Sequence, residues 1–135
     1  MKKKISIVTV VCSIVIIGSS FIQSETQKSI TRGKEVYGLY CQNCHMEDGT
    51  GMPEVNPPLA KADYMKRPSK DLINVILKGS TASLTVNGKK YVGAMPAQEY
   101  LSDEQIADVL NYAKNSWGNK IPGVITPALV KAQRK

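Results

Sequence analysis

Aromatic side chains are scarce: one Trp, six Tyr and one Phe make up 6% of 135 residues. Histidine occurs once, which excludes any centre needing two imidazoles and most zinc sites. Three cysteines are too few for a dense disulfide scaffold. A small domain so poor in large side chains needs something else to fill its core. Disorder throughout is excluded, because 42% of residues are apolar and 21% charged, an ordinary globular balance. The length leaves room for one domain.

Excess charge on the folded body is also missing. The net charge is +7, but Lys2, Lys3 and Lys4 supply three charges and Lys120, Lys131, Arg134 and Lys135 four more. Residues 25–117 carry 11 basic and 11 acidic side chains. A nucleic-acid binder concentrates its basic excess on its folded body, so nucleic acid is not an expected partner.

The first 24 residues read as an export signal. Three lysines precede an apolar run from Ile5 to Ile17, followed by Gly18, Ser19 and Ser20. Thirteen residues fall short of the roughly 20 that span a bilayer, which favours cleavage. Extension through Phe21 and Ile22 gives the alternative, an uncleaved anchor that attaches the protein to a membrane through residues 5–22. Cys12, inside the run and preceded by the bulky Val11, reads as a small hydrophobe. The expected location is therefore the periplasm, or the outer face of a bacterial inner membrane.

Beyond the signal, Thr31 is a candidate cap for a helix from about Arg32 to Gln42, with Gly33, Tyr37 and Tyr40 on one face. Residues 46–68 hold four of the seven prolines and two glycines and read as a long loop. Ser69 is expected to cap a short helix carrying Leu72, Ile73, Ile76 and Leu77, stopped by Gly79. Asn87-Gly88 between Leu84–Val86 and Lys89–Val92 predicts a hairpin. Ser102 and Gln105 form a capping box, with Leu101 and Ile106 as a hydrophobic staple. The helix they open carries Ile106, Val109, Leu110, Ala113 and Trp117 on one stripe and ends at Gly118. Residues 119–135 read as a basic tail in which Thr126-Pro127 opens a short helix.

The chemistry lies in Cys41-Gln-Asn-Cys44-His45, the attachment pattern of a c-type haem. Two thiols three positions apart on a helical turn each add across a porphyrin vinyl group, and the following His meets the iron. A thioredoxin-like reading needs a βαβ context, and the chain offers none. A structural zinc lacks a second Cys pair or another His. A plain Cys41–Cys44 disulfide is the blandest rival; it leaves the adjacent His45 unexplained.

A first helix, the CxxCH turn, a Pro-rich loop, a Met-Pro loop and a final helix follow in that order. Over residues 31–118 the chain resembles a small class I cytochrome c. The resemblance implies an all-α fold in which a few helices wrap one covalent haem, here with a small β-hairpin insertion, over residues 25–118. It implies one haem c, joined through Cys41 and Cys44, with its iron held by His45. Of the five methionines, Met1 lies in the signal, and Met46 and Met52 are close to His45 in sequence. Met65 and Met95 remain for the opposite haem face. The family's Met-Pro setting assigns the sixth ligand to Met95 and leaves Met65 as packing. Pro57-Pro58-Leu59 is similar to the family's Pro-x-Leu segment, whose proline carbonyl, here of Pro57, accepts from the proximal His45. A Gly and aromatic crossing of the first and last helices implies Gly33 and Tyr37 against Val109 and Tyr112. Tyr64, Arg67 and Tyr91 are candidates for the haem propionates, with Arg67 better read as a solvated surface residue.

With both axial positions filled, the expected function is one-electron transfer between exported redox proteins rather than catalysis. The alternative is a cytochrome subunit of an exported dehydrogenase or nitrite-reductase complex. A gas sensor or peroxidase-like protein would need a vacant sixth position.

Overall fold

The computed structural model describes residues 25–134. The expected signal or anchor, residues 1–24, lies outside the described residues, Cys12 included. Five helices and one two-stranded antiparallel sheet make up the described regular structure, apart from a single 3₁₀ turn. Helix α1 covers residues 25–40 and α2 spans Gln42–His45. A 3₁₀ turn at Asp63–Lys66 precedes α3, Ser69–Lys78. Strands β1 (Leu84–Val86) and β2 (Lys89–Tyr91) lead to α4, Asp103–Asn115, and α5, Pro127–Gln133.

Helix α1 begins earlier than Thr31. The helix is already formed at residue 25, and the Thr31 hydroxyl donates to the Gln27 carbonyl one turn back, 3.1 Å away. A capping-type residue inside a packed helix uses its hydroxyl this way. What fixes the earlier turns is Ser29, buried against Asp108 of α4 at 2.6 Å. Ser29, Gly33, Val36 and Tyr37 form the buried stripe of α1.

The α1–α4 crossing depends on Gly33. A Cβ there would stand 2.0 Å from the Asp108 carbonyl oxygen and 2.8 Å from Tyr112 Cβ. Only a hydrogen leaves room for the backbones. Tyr37 packs on Tyr112 with ring centroids 5.4 Å apart.

Helix α4 has the expected capping box, with Ser102 Oγ accepting from Gln105 N and Gln105 Oε1 from Ser102 N. Leu101 and Ile106, the expected staple, are both buried. The helix ends earlier than its stripe suggests. Ser116 is extended and Trp117 takes a left-handed conformation with φ 54°. Trp117 thereby turns back onto Tyr37 and Tyr112, at 4.9 and 5.3 Å, and donates its indole N–H to Glu47 O at 2.9 Å.

Helix α3 keeps its expected apolar stripe, Leu72, Ile73, Ile76 and Leu77, and stops at Gly79. Its cap is Pro68, with no side-chain bond, so Ser69 is the first helical residue. The hairpin register pairs Leu84 with Tyr91 and Val86 with Lys89, and Asn87 and Gly88 take φ 50° and 75°. Both positive values are those of a type I′ turn, whose twist matches the strands. Asn87 and Asp63 exchange backbone-to-side-chain bonds of 2.9 Å each way, which docks the hairpin on the 3₁₀ turn.

The segment expected as a basic tail is packed into the domain. Ile125 and Val130 are fully buried, and α5 lies against both α3 and α4. Asn111 of α4 donates to Ile125 O at 2.8 Å and accepts from Ile125 N at 2.8 Å. Charge counting misses this because the few apolar residues that do the packing are spaced among lysines and prolines. Thr126 and Pro127 open α5 as expected, Thr126 Oγ1 accepting from Leu129 N.

Candidate functional site

The chain leaves α1 at Cys41, turns, and restarts as α2, so Cys41, Cys44 and His45 share one helical turn. Cys44 N and His45 N both donate to Cys41 O, at 3.1 and 2.9 Å. The exit is held by Tyr37, whose hydroxyl donates to Met46 O at 2.6 Å, with Met46 at φ 62°. The two sulfurs are not joined to each other. Burial, then the neighbouring Cys44, pushes the Cys41 thiol up to about 11. A redox-active CxxC needs a thiolate stabilised near neutral pH, so this environment suits the opposite behaviour.

The following loop folds back sharply, and Gly51 makes this feasible. It has φ +68°, and a Cβ would lie 2.4 Å from Asn56 O and 2.6 Å from Pro57 O. Gly51 N donates to His45 O at 3.0 Å. The doubled loop brings Pro57 O to 3.0 Å from His45 Nδ1. A carbonyl can only accept, so the proton sits on Nδ1 and the Nε2 lone pair is free. Burial lowers the His45 pKa, the Pro57 bond raising it in part. The ring is therefore neutral at pH 7, the form that binds metals. Leu59 is fixed by donating its N–H to Gly49 O at 2.8 Å.

Met95 is held from the other side of the chain. Its backbone exchanges two 2.8 Å bonds with Ser80, just past α3. Gly93 N and Val92 N donate to Val55 O and Glu54 O, at 2.8 and 3.0 Å, tying this segment to the Pro57 loop.

These pieces meet at one cleft. Cys41, Cys44, His45, Pro57, Leu59 and Met95 all line it, so all six candidate site residues come together. It encloses about 1030 Å³ of empty space, its open mouth included, between walls such as Leu72, Ile76, Leu84, Val86, Val109 and Leu110. An apolar slot with a few convergent polar groups suits a large flat cofactor. Met65 also lines it and is 3% exposed, so both candidate methionines reach the cleft. Tyr64 lies on the wall, with the Arg67 guanidinium 4.8 Å from its ring centroid. Tyr91 is buried but does not line this cleft. Among the described residues no cluster of three or more His, Cys, Asp and Glu forms a separate metal cage.

The cytochrome c family model matches residues 30–117. The chain belongs to the cytochrome c family.

This cytochrome is 34% identical over 124 residues to cytochrome c-552 of Thermus thermophilus, an alignment covering 76% of this chain and 94% of that protein. It is 39% identical over 105 residues to the cytochrome c subunit of a quinone alcohol dehydrogenase of Komagataeibacter europaeus. It is 33% identical over 106 residues to the gluconate 2-dehydrogenase cytochrome c subunit of Pantoea cypripedii. The chain spans only 22% and 24% of the length of those two subunits. The cytochrome carries haem c with its iron and transfers electrons. Its cleft fits that group: two cysteines, a neutral imidazole and a thioether line an otherwise apolar slot.

The sequence pattern did not reveal three residues that shape this site. Gly51 was visible only as a loop glycine. Trp117 continues the α4 stripe by spacing alone. Asn119 is buried, accepts from Lys61 N and donates to Leu59 O and Ala113 O, at 2.8 to 2.9 Å, fixing the Leu59 segment to the end of α4. No local signal marks a side chain that completes the backbone bonds of a segment 58 residues away.

Proposed function

We propose that the cytochrome holds a single haem through thioethers to Cys41 and Cys44, with His45 and Met95 as axial ligands. On this reading it is a one-electron carrier and not a catalyst. The observation that supports it best is the His45–Pro57 contact of 3.0 Å at the wall of a cleft that Met95 also lines. Nδ1–H donation fixes the ring plane and makes Nε2 a better donor. Haem in this setting supplies a one-electron couple, and thioether ligation with burial raises its potential. The chain's own part is to keep the slot apolar and both axial side chains in place. A filled coordination shell leaves no position for a substrate to bind.

The choice between the two methionines is testable. Met95→Ala should remove the far-red sulfur-to-iron absorption of the oxidised protein, lower its potential, and let the reduced protein bind carbon monoxide. Met65→Ala should leave all three unchanged and cost about 2–5 kcal/mol of packing. The reverse pattern transfers the ligand role to Met65.

The proposed setting is outside the cytoplasm, with the lysine, apolar and small-residue order of residues 1–24 as support. No described helix is long and apolar enough to cross a membrane. A second reading, a subunit or partner of an exported dehydrogenase, is favoured by the relatives that are dehydrogenase cytochrome subunits. Co-purification with a large catalytic subunit would support it, and an isolated monomer in the native host would count against it.

A further inference from the structure

The loop between Met95 and α4 is largely exposed, and its fastenings are few. Met95 is bridged to Ser80, and Gln98 N donates to Ile76 O at 2.8 Å. Tyr100, 66% exposed, rests edge-on against Tyr40. Leu101 is buried at the foot of α4, and a further anchor comes from the far end of the chain, beyond the segment that matches the family. Arg134 Nε donates to Asp103 Oδ1 at 2.5 Å, Nη1 to Glu99 O at 2.8 Å, and Nη2 to Leu101 O at 2.5 Å. One planar guanidinium thus closes on three points of residues 99–103, a geometry that an ammonium does not reproduce. The arginine and Asp103 side chains are 30% and 29% exposed, partly shielded from solvent. Arg134 directly follows α5, which is anchored by the fully buried Val130 and packed on α3 and α4.

We propose that Arg134 is a positioning residue for Met95: it ties the axial loop to the packed core and sets how often that loop opens. The proposal rests on Met95 being the sixth ligand. Exposed loops with few buried contacts open most readily, so each anchor weighs heavily on the open fraction. Arg134→Met keeps the aliphatic stem and removes all three donors. Arg134→Lys restores a charge without the fork.

The test uses full-length, haem-loaded, oxidised protein and follows added imidazole, which binds only when the axial methionine departs. Arg134→Met should bind imidazole roughly 2- to 30-fold faster than the native protein, the range typical of a coupling residue that touches neither ligand. Arg134→Lys should fall between the two. Amide exchange in residues 97–101 should quicken in parallel. Val36→Ala, a core change on α1, controls for general loosening and should leave the imidazole rate near the native one. A native rate in Arg134→Met, or equal acceleration in Val36→Ala, overturns the proposal. Met95→Ala separates the two readings. If it keeps the far-red band, the ligand assignment fails. If it loses the band while Arg134→Met binds at the native rate, only the anchoring role fails.

Discussion

Single atoms decide two features of this molecule. At Gly33 an added methyl would sit 2.0 Å from a backbone carbonyl, which cannot rotate away. Gly33→Ala should therefore destabilise the holoprotein by about 1–3 kcal/mol in denaturant titration, despite alanine's better helix propensity. Lys114 is the second case. It is buried on α4 with its ammonium bonded to Gly123 O, and burial lowers its pKa below the ordinary 10.5. A depressed base binds fewer protons folded than unfolded, so its contribution to stability rises with pH between the folded value and 10.5. Tyr37, whose pKa burial raises, contributes the opposite slope above about pH 10. Comparing native protein with Lys114→Met cancels the tyrosine. The native chain should gain on the variant as pH approaches 10.5, measured by urea midpoints. A constant difference would show that the amine titrates normally.

At the scale of elements, the last stretch matters more than its composition suggests. Deleting residues 119–135 removes Ile125 and Val130 from the core, which should cost about 3–6 kcal/mol. It also strips Asn119 and Arg134 from the loops on either side of the cleft. A truncated protein that melts like the native one would show that segment to be an appendage after all. Elements whose signals are local were legible in the sequence: the Asn87-Gly88 turn, the Ser102 and Gln105 box, and the Thr126-Pro127 start. Local signals mislead where a distant contact outvotes a local preference. Thr31 looks like a cap, yet Ser29 bonded to Asp108 extends the helix past it. Trp117 continues the period of α4, yet the chain leaves the helix to close a three-ring cluster. Of the six candidate site residues, Cys41, Cys44 and His45 stand out in the sequence because attachment chemistry demands fixed types at fixed spacing, whereas Pro57, Leu59 and Met95 came only with the resemblance to the family. The residues that hold them, Gly51, Asn119 and Arg134, were not legible, since their role exists only after the chain has folded.

At the scale of the molecule, the cleft runs through the middle of what would otherwise be the core. Helices α3 and α4, the hairpin and the Pro57 loop all face it, so without haem they face a void. The Cys41→Ala/Cys44→Ala double variant should be largely unfolded by circular dichroism, because so small a fold has little else to bury. Cooperative melting of that variant would show that the polypeptide packs unaided. The polar knot between α1 and α4 has a further consequence, for the order of assembly. Ser29 bonds to Asp108 and Asn111, 79 and 82 positions later, and Asn111 in turn holds Ile125. Contacts of such separation form late, since a long loop must close before they are gained. As the chain is made from its amino end, Cys41 and Cys44 are delivered long before α4 and α5 can seal the first helix. The thiols thus stay reachable for an interval, and the far end of the chain ends that interval.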